Sequence, residues 1–120
     1  MEDPAGRQRM IDNPDQVERL LAKLRRALPL PAQMTPRLLA ALRERAPGSH
    51  STPACRITAV NYAGDEGGIV CHLEPADDAA IDEVAVVSIT HLDFNAKLPL
   101  AREIAAYQKH RIKRLRRGRP

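Results

Sequence analysis

The chain has 120 residues, 43% hydrophobic and 28% charged, which suits one small domain and excludes a multidomain enzyme. No run approaches the ~18 apolar residues of a membrane span, and the polar stretch from Met1 to Met10 is unlike a secretory signal, so a cytoplasmic address is expected. Charge is uneven: Lys109, Arg111, Lys113, Arg114, Arg116, Arg117 and Arg119 place seven of the 19 cations in the last twelve residues, giving a tail of +7 on a body of −3.

In chain order, residues 1–12 lack periodicity and read as a disordered N-terminus. Asn13-Pro14-Asp15-Gln16 is a helix start, with Asn13 as N-cap and Pro14 at the first helical position. Val17, Leu20, Leu21, Leu24 and Leu28 then form one apolar stripe at helical spacing. Pro29 and Pro31 stop that helix, and Thr35-Pro36 opens a second one carrying Leu38, Leu39 and Leu42, so residues 13–46 predict a helical hairpin. Residues 47–53 read as a linker, and residues 54–117 as a β-β-β-α core.

Within that core, Cys55 to Tyr62 and Ile69 to Glu74 alternate and flank the turn Gly64-Asp65-Glu66-Gly67-Gly68, which predicts a β-hairpin. Pro75 to Glu83 is an acidic loop, and Val84 to Leu92 is a third strand rich in β-branched residues. The alternation assigns Ile57, Ala59, Ile69, Cys71, Leu73, Val87 and Ile89 to the core face, with Val60 and Tyr62 on the other. Pro99 introduces a final helix with Leu100, Ile104, Tyr107, Ile112 and Leu115 on one arc and a basic ridge opposite. Arg111 falls inside the apolar arc, where it must snorkel or meet a carboxylate. Residues 118–120 are expected to fray.

Few residues suggest catalysis. Ser88, Thr90, His91 and Asp93 are close in sequence, but in a continuous strand the two hydroxyls leave one face and His91 the other. Cys55, Cys71, His72 and His91 lack the paired short spacings of a zinc site, and Cys71 and His72 point to opposite sides of their strand. In the expected hairpin register Cys71 sits opposite Asn61, away from Cys55, so both thiols should be free. The glycine-rich turn lacks a GK[ST] ending and carries two acids, which argues against a phosphate loop. No cofactor, metal or catalytic residue is therefore expected.

The predicted architecture is α+β: an N-terminal helical hairpin, a three-stranded antiparallel sheet and a C-terminal basic amphipathic helix. The expected function is non-enzymatic, a nucleic-acid-associated or regulatory protein whose tail contacts RNA or DNA phosphates without base specificity. Arg102, Lys109, Lys113, Arg114, Arg116, Arg117 and Arg119 are its contact residues. The competing reading is an assembly module, with the tail only a solvated helix end. A homodimer is also expected, joined through Val17, Leu20, Leu21, Leu24, Leu28, Leu38 and Leu42, because a thin sheet cannot cover so much apolar surface. Without Trp, and with Phe94 the one Phe, the basic helix lacks the aromatic seats of a membrane-surface helix, so no membrane partner is expected.

Overall fold

The computed structural model describes residues 12–45, 53–75 and 85–117. Residues 1–11 of the expected N-terminal segment, the expected linker up to Thr52, the acidic loop beyond Pro75 and the frayed end lie outside these residues.

Helix α1 spans Pro14–Ala27 and starts as its sequence dictates: the Asn13 side chain accepts hydrogen bonds from the Asp15 and Gln16 backbone N–H groups at 2.9 and 3.2 Å. These bonds satisfy two of the donors that a helix start leaves unpaired. Val17, Leu20, Leu21 and Leu24 are buried, and α1 packs against the sheet and the C-terminal helix. Each such side chain contributes about 1.5–3 kcal/mol on full burial.

The chain does not then turn directly into a second helix. Leu30–Met34 forms strand β1, in which Leu30, Ala32 and Met34 are buried and Pro31 and Gln33 exposed. The expected helical hairpin is thus interrupted by a strand that joins the sheet. Pro29 and Pro31 stop α1 as expected, yet proline is tolerated at a sheet edge, where its missing N–H leaves no ladder bond unmade. Pro31 meets that condition, because the neighbour on its free side reaches only Gln33 and Met34. Helix α2 follows at Pro36–Arg45, with Thr35 Oγ1 accepting from the Leu38 N–H at 3.3 Å.

Strands β2 (Ala54–Tyr62) and β3 (Ile69–Pro75) form the expected hairpin, with a register shift between Ile57 and Ala59. Ile57 pairs with Leu73 and Ala59 with His72, leaving Thr58 as an extra residue. A bulge reverses which side chains face inward. Cys55 and Ile57 are buried before it and Val60 after it, while Tyr62 is half-buried against the core. The core-face assignment of Ala59 and the outward assignment of Val60 and Tyr62 are corrected accordingly. Cys71 lies opposite Val60, one position from its expected partner Asn61, and Cys55 lies opposite Pro75.

The third expected strand is broken. Ala85–Ser88 is β4, Ile89–His91 a turn of 3-10 helix, and Leu92–Asp93 is β5. The sheet therefore has five antiparallel strands rather than three, in the order β4-β3-β2-β1-β5. Its curvature follows from the connection. Edge strands of a flat five-stranded sheet stand about 19 Å apart, at about 4.8 Å per neighbour. Four Cα steps span about 14 Å even when fully extended, and a 3-10 turn is shorter. The sheet must curl until its edges approach, which yields a half-barrel.

Helix α3, Ala101–Arg117, closes the fold and buries Ile104, Tyr107 and Arg111. Gln108 Nε2 donates to the carbonyls of Ile89 and Leu92, both at 2.8 Å, and so ties α3 to the seam between the two sheet edges. The architecture is α+β, with three α-helices among the described residues. Among those residues no helix is long and apolar enough to cross a membrane.

The leucine stripe assigned to a dimer interface is used within the chain. Val17, Leu20, Leu21, Leu24 and Leu38 belong to its core, with Leu28 and Leu42 packed partly buried against it. The fifth strand and the curvature supply the apolar surface that a flat three-stranded sheet would lack. Val86, 54% exposed, and Ile112, 39% exposed, are the large hydrophobic side chains left on the described surface.

Candidate functional site: the basic face of the C-terminal helix

At 100° per residue, Arg102, Lys109, Lys113 and Arg116 fall within about 60° of one another on α3, opposite its buried side chains. All four are exposed, and among the described residues none is engaged in an ion pair. Glu103, the single acid of the helix, lies off this ridge and accepts from Lys23 Nζ of α1 at 2.5 Å. The ridge is therefore a run of cations with no carboxylate of its own helix among them. Arg114 is exposed on the flank, Arg117 closes the helix, and Arg119 lies outside the described residues.

Ile112 sits beside the ridge. With Ala105 and Gln108 it floors an open concavity that Lys109, Lys113 and Arg116 border. A second, polar groove of about 710 Å³ flanks the other side of Arg116, between α3, the start of α2 and the 3-10 turn.

Arg111 meets the carboxylate that its place on the apolar arc demands. Its Nη1 donates to Asp12 Oδ2 at 3.1 Å and its Nη2 to the Asp65 carbonyl at 2.8 Å. The Tyr107 hydroxyl donates to the same Asp12 oxygen at 2.7 Å and accepts from the Ile69 N–H at 3.0 Å. Burial, with the Asp12 hydrogen bond, pushes the Tyr107 hydroxyl above its ordinary pKa. Asp12, assigned by sequence to the disordered N-terminus, is buried. The cluster neutralises a core cation and leaves Arg111 unavailable to a ligand.

The Ser88, Thr90 and His91 side chains line the same polar groove, because the 3-10 turn replaces the strand pleat that would have separated them. Ser88 Oγ and Thr90 Oγ1 are 3.0 Å apart and hydrogen-bonded to each other. Among the described residues no hydrogen bond links His91 to either hydroxyl, and Asp93 borders a different cavity, beside Phe94 and Leu98. A nucleophile, a base and an orienting acid do not converge.

Both cysteines are buried and free, and Cys55 Sγ donates weakly to the Ala32 carbonyl at 3.4 Å. Burial raises the Cys55 thiol to about 11 and the Cys71 thiol to about 12. Such thiols are poor nucleophiles near neutral pH. Among the described residues no three His, Cys, Asp or Glu side chains gather as metal ligands.

Sequence reasoning overlooked Asp12, although the lone Arg111 on the apolar arc signalled that an acid was needed. It also overlooked Arg37, whose place beside α3 depends on β1 and has no local signal. Comparison with protein-family models, curated proteins and solved structures finds no match to this chain, so the functional reading rests on its own geometry.

Proposed function

We propose that this protein binds the phosphodiester backbone of nucleic acid through the exposed ridge of α3, without base specificity and without catalysis. The observation that carries the reading is the four-residue cationic arc of Arg102, Lys109, Lys113 and Arg116, unpaired among the described residues, with the helix's one acid engaged elsewhere. Lysine and arginine so arranged follow a line of phosphates and gain affinity by counterion release. Three aromatic residues in the whole chain, with Tyr107 buried, favour backbone contact over base stacking. Assembly plays no part in this reading, since the leucine stripe lies in the chain's own core.

The test is fluorescence anisotropy with labelled duplex DNA, duplex RNA and single strands at several salt concentrations. Four to six contacts correspond to a slope of about −3 to −5 in log K against log salt, at about 0.7 to 0.9 per contact. Lys109→Glu, Lys113→Glu and Arg116→Glu together should remove most binding while leaving the circular dichroism spectrum unchanged. No wild-type binding near physiological salt would overturn the proposal. A protein partner that stays bound in high salt would instead favour the assembly-module reading.

A further inference from the structure

Arg116 borders two concavities, one on the α3 ridge and one in the polar groove beneath it. The groove brings in a cation from another part of the fold, Arg37 in the first turn of α2, which is exposed and in no ion pair among the described residues. Its walls are tied together: the Thr35 N–H donates to the His91 carbonyl at 3.1 Å, joining the start of α2 to the seam turn. The Arg111 guanidinium is held by Asp12 and the Asp65 carbonyl, so Arg37 and Arg116 are the groove guanidiniums free to meet a ligand. The mutual bond of Ser88 and Thr90 uses one hydroxyl hydrogen, and the other remains to donate. Asp65 and Glu66 of the hairpin turn also line the groove.

We infer that the nucleic-acid surface is composite: a strand lying on the α3 ridge continues past Arg116 into the groove, where Arg37 takes a further phosphate. This rests on the function proposed above and extends it to α2. The Glu66 carboxylate in the groove lining repels phosphate and disfavours a path along the hairpin turn. Because the cations stand on two helices fixed to one sheet, binding requires little ordering of the surface that carries them.

The experiment compares Arg37→Gln, Glu66→Gln and Arg26→Gln with wild type, using a labelled 20-nucleotide single strand and a 20-base-pair duplex. Arg26 is an exposed cation on α1 outside both concavities, so its variant controls for net charge. Arg37→Gln should weaken binding about threefold, as expected for one exposed charge contact, and reduce the salt slope by about 0.7 to 0.9. Glu66→Gln should tighten binding, and Arg26→Gln should leave it within error of wild type. Thermal melts confirm that the variants are folded. If Lys113→Gln weakens binding while Arg37→Gln behaves like Arg26→Gln, the groove extension is wrong and the ridge stands alone. If wild type binds neither probe, ridge and groove fall together.

Discussion

Asp12 and Arg111 lie 99 positions apart in the chain and meet at 3.1 Å, with 0% and 3% of their side chains exposed. The pair fastens the entry of α1 to α3, and Arg111 carries the link on to the hairpin turn through the Asp65 carbonyl. A guanidinium on the core face of a helix survives only with such a partner, because an unpaired buried charge is costly. Asp12→Ala should therefore destabilise the protein by about 3–5 kcal/mol. Replacing both partners, Asp12→Ala with Arg111→Met, should recover much of that loss. Urea denaturation of the two variants checks it; a double variant no more stable than the single one would show that the buried charge is not the cause.

Gly64 and Gly68 separate backbone strain from steric collision. Both have positive φ, 71° and 63°. A Cβ at Gly64 would meet nothing within 4 Å, whereas at Gly68 it would collide with the Tyr107 hydroxyl and stand 2.8 Å from Arg111 Nε. Gly64→Ala should cost about 1–2 kcal/mol, the strain of a left-handed alanine. Gly68→Ala should cost distinctly more, since it also displaces Tyr107 from the Ile69 N–H and from Asp12. Equal losses in urea melts would mean that the cluster yields freely.

What was legible in the sequence followed local rules. The Asn13 cap, the stripe of α1, the β2–β3 hairpin and the amphipathic last helix each depend on residues within a few turns of one another. β1 was not legible, because Leu30-Pro31-Ala32-Gln33-Met34 shows weak alternation, contains one proline and follows another, and only its place beside β2 makes it a strand. The break of Val84 to Leu92 into two strands was equally hidden, since it answers to the curl of the whole sheet. The exposed ridge cations on α3 could be placed from helical periodicity alone. The groove beside them could not, because Arg37 reaches it through β1 and His91 through the 3-10 turn.

The thiols give a pH signature. Their folded values, about 11 for Cys55 and about 12 for Cys71, lie above the ordinary value of 9.0. A raised thiol pKa means that the folded state keeps its proton where the unfolded chain has lost it. The resulting stability is fully present below pH 9 and is lost as pH rises toward 11 and 12. Cys55→Ala with Cys71→Ala should flatten that part of the stability curve relative to its own value at neutral pH. In native protein at pH 8, a disulfide-exchange reagent should label neither thiol faster than the chain opens. Rapid labelling without denaturant would contradict the burial of both.

Gln108 offers a direct test of how α3 holds the curled sheet. Its one amide nitrogen donates both hydrogens, to Ile89 O and Leu92 O, at the two ends of the turn that joins opposite sheet edges. Gln108→Leu keeps a side chain of similar bulk but leaves both carbonyls without that donor. At about 0.5–1.5 kcal/mol for each net hydrogen bond, the loss should be about 1–3 kcal/mol. Gln108→Glu should cost more, because an ionised carboxylate has no hydrogen to donate and would face two carbonyl oxygens. Amide exchange between Ile89 and Asp93 should accelerate in both variants before that of β2 and β3, whose pairing does not pass through this contact. If Gln108→Leu melts with wild type and exchange at the seam is unchanged, apolar packing of Ile104 and Tyr107 alone holds α3 in place.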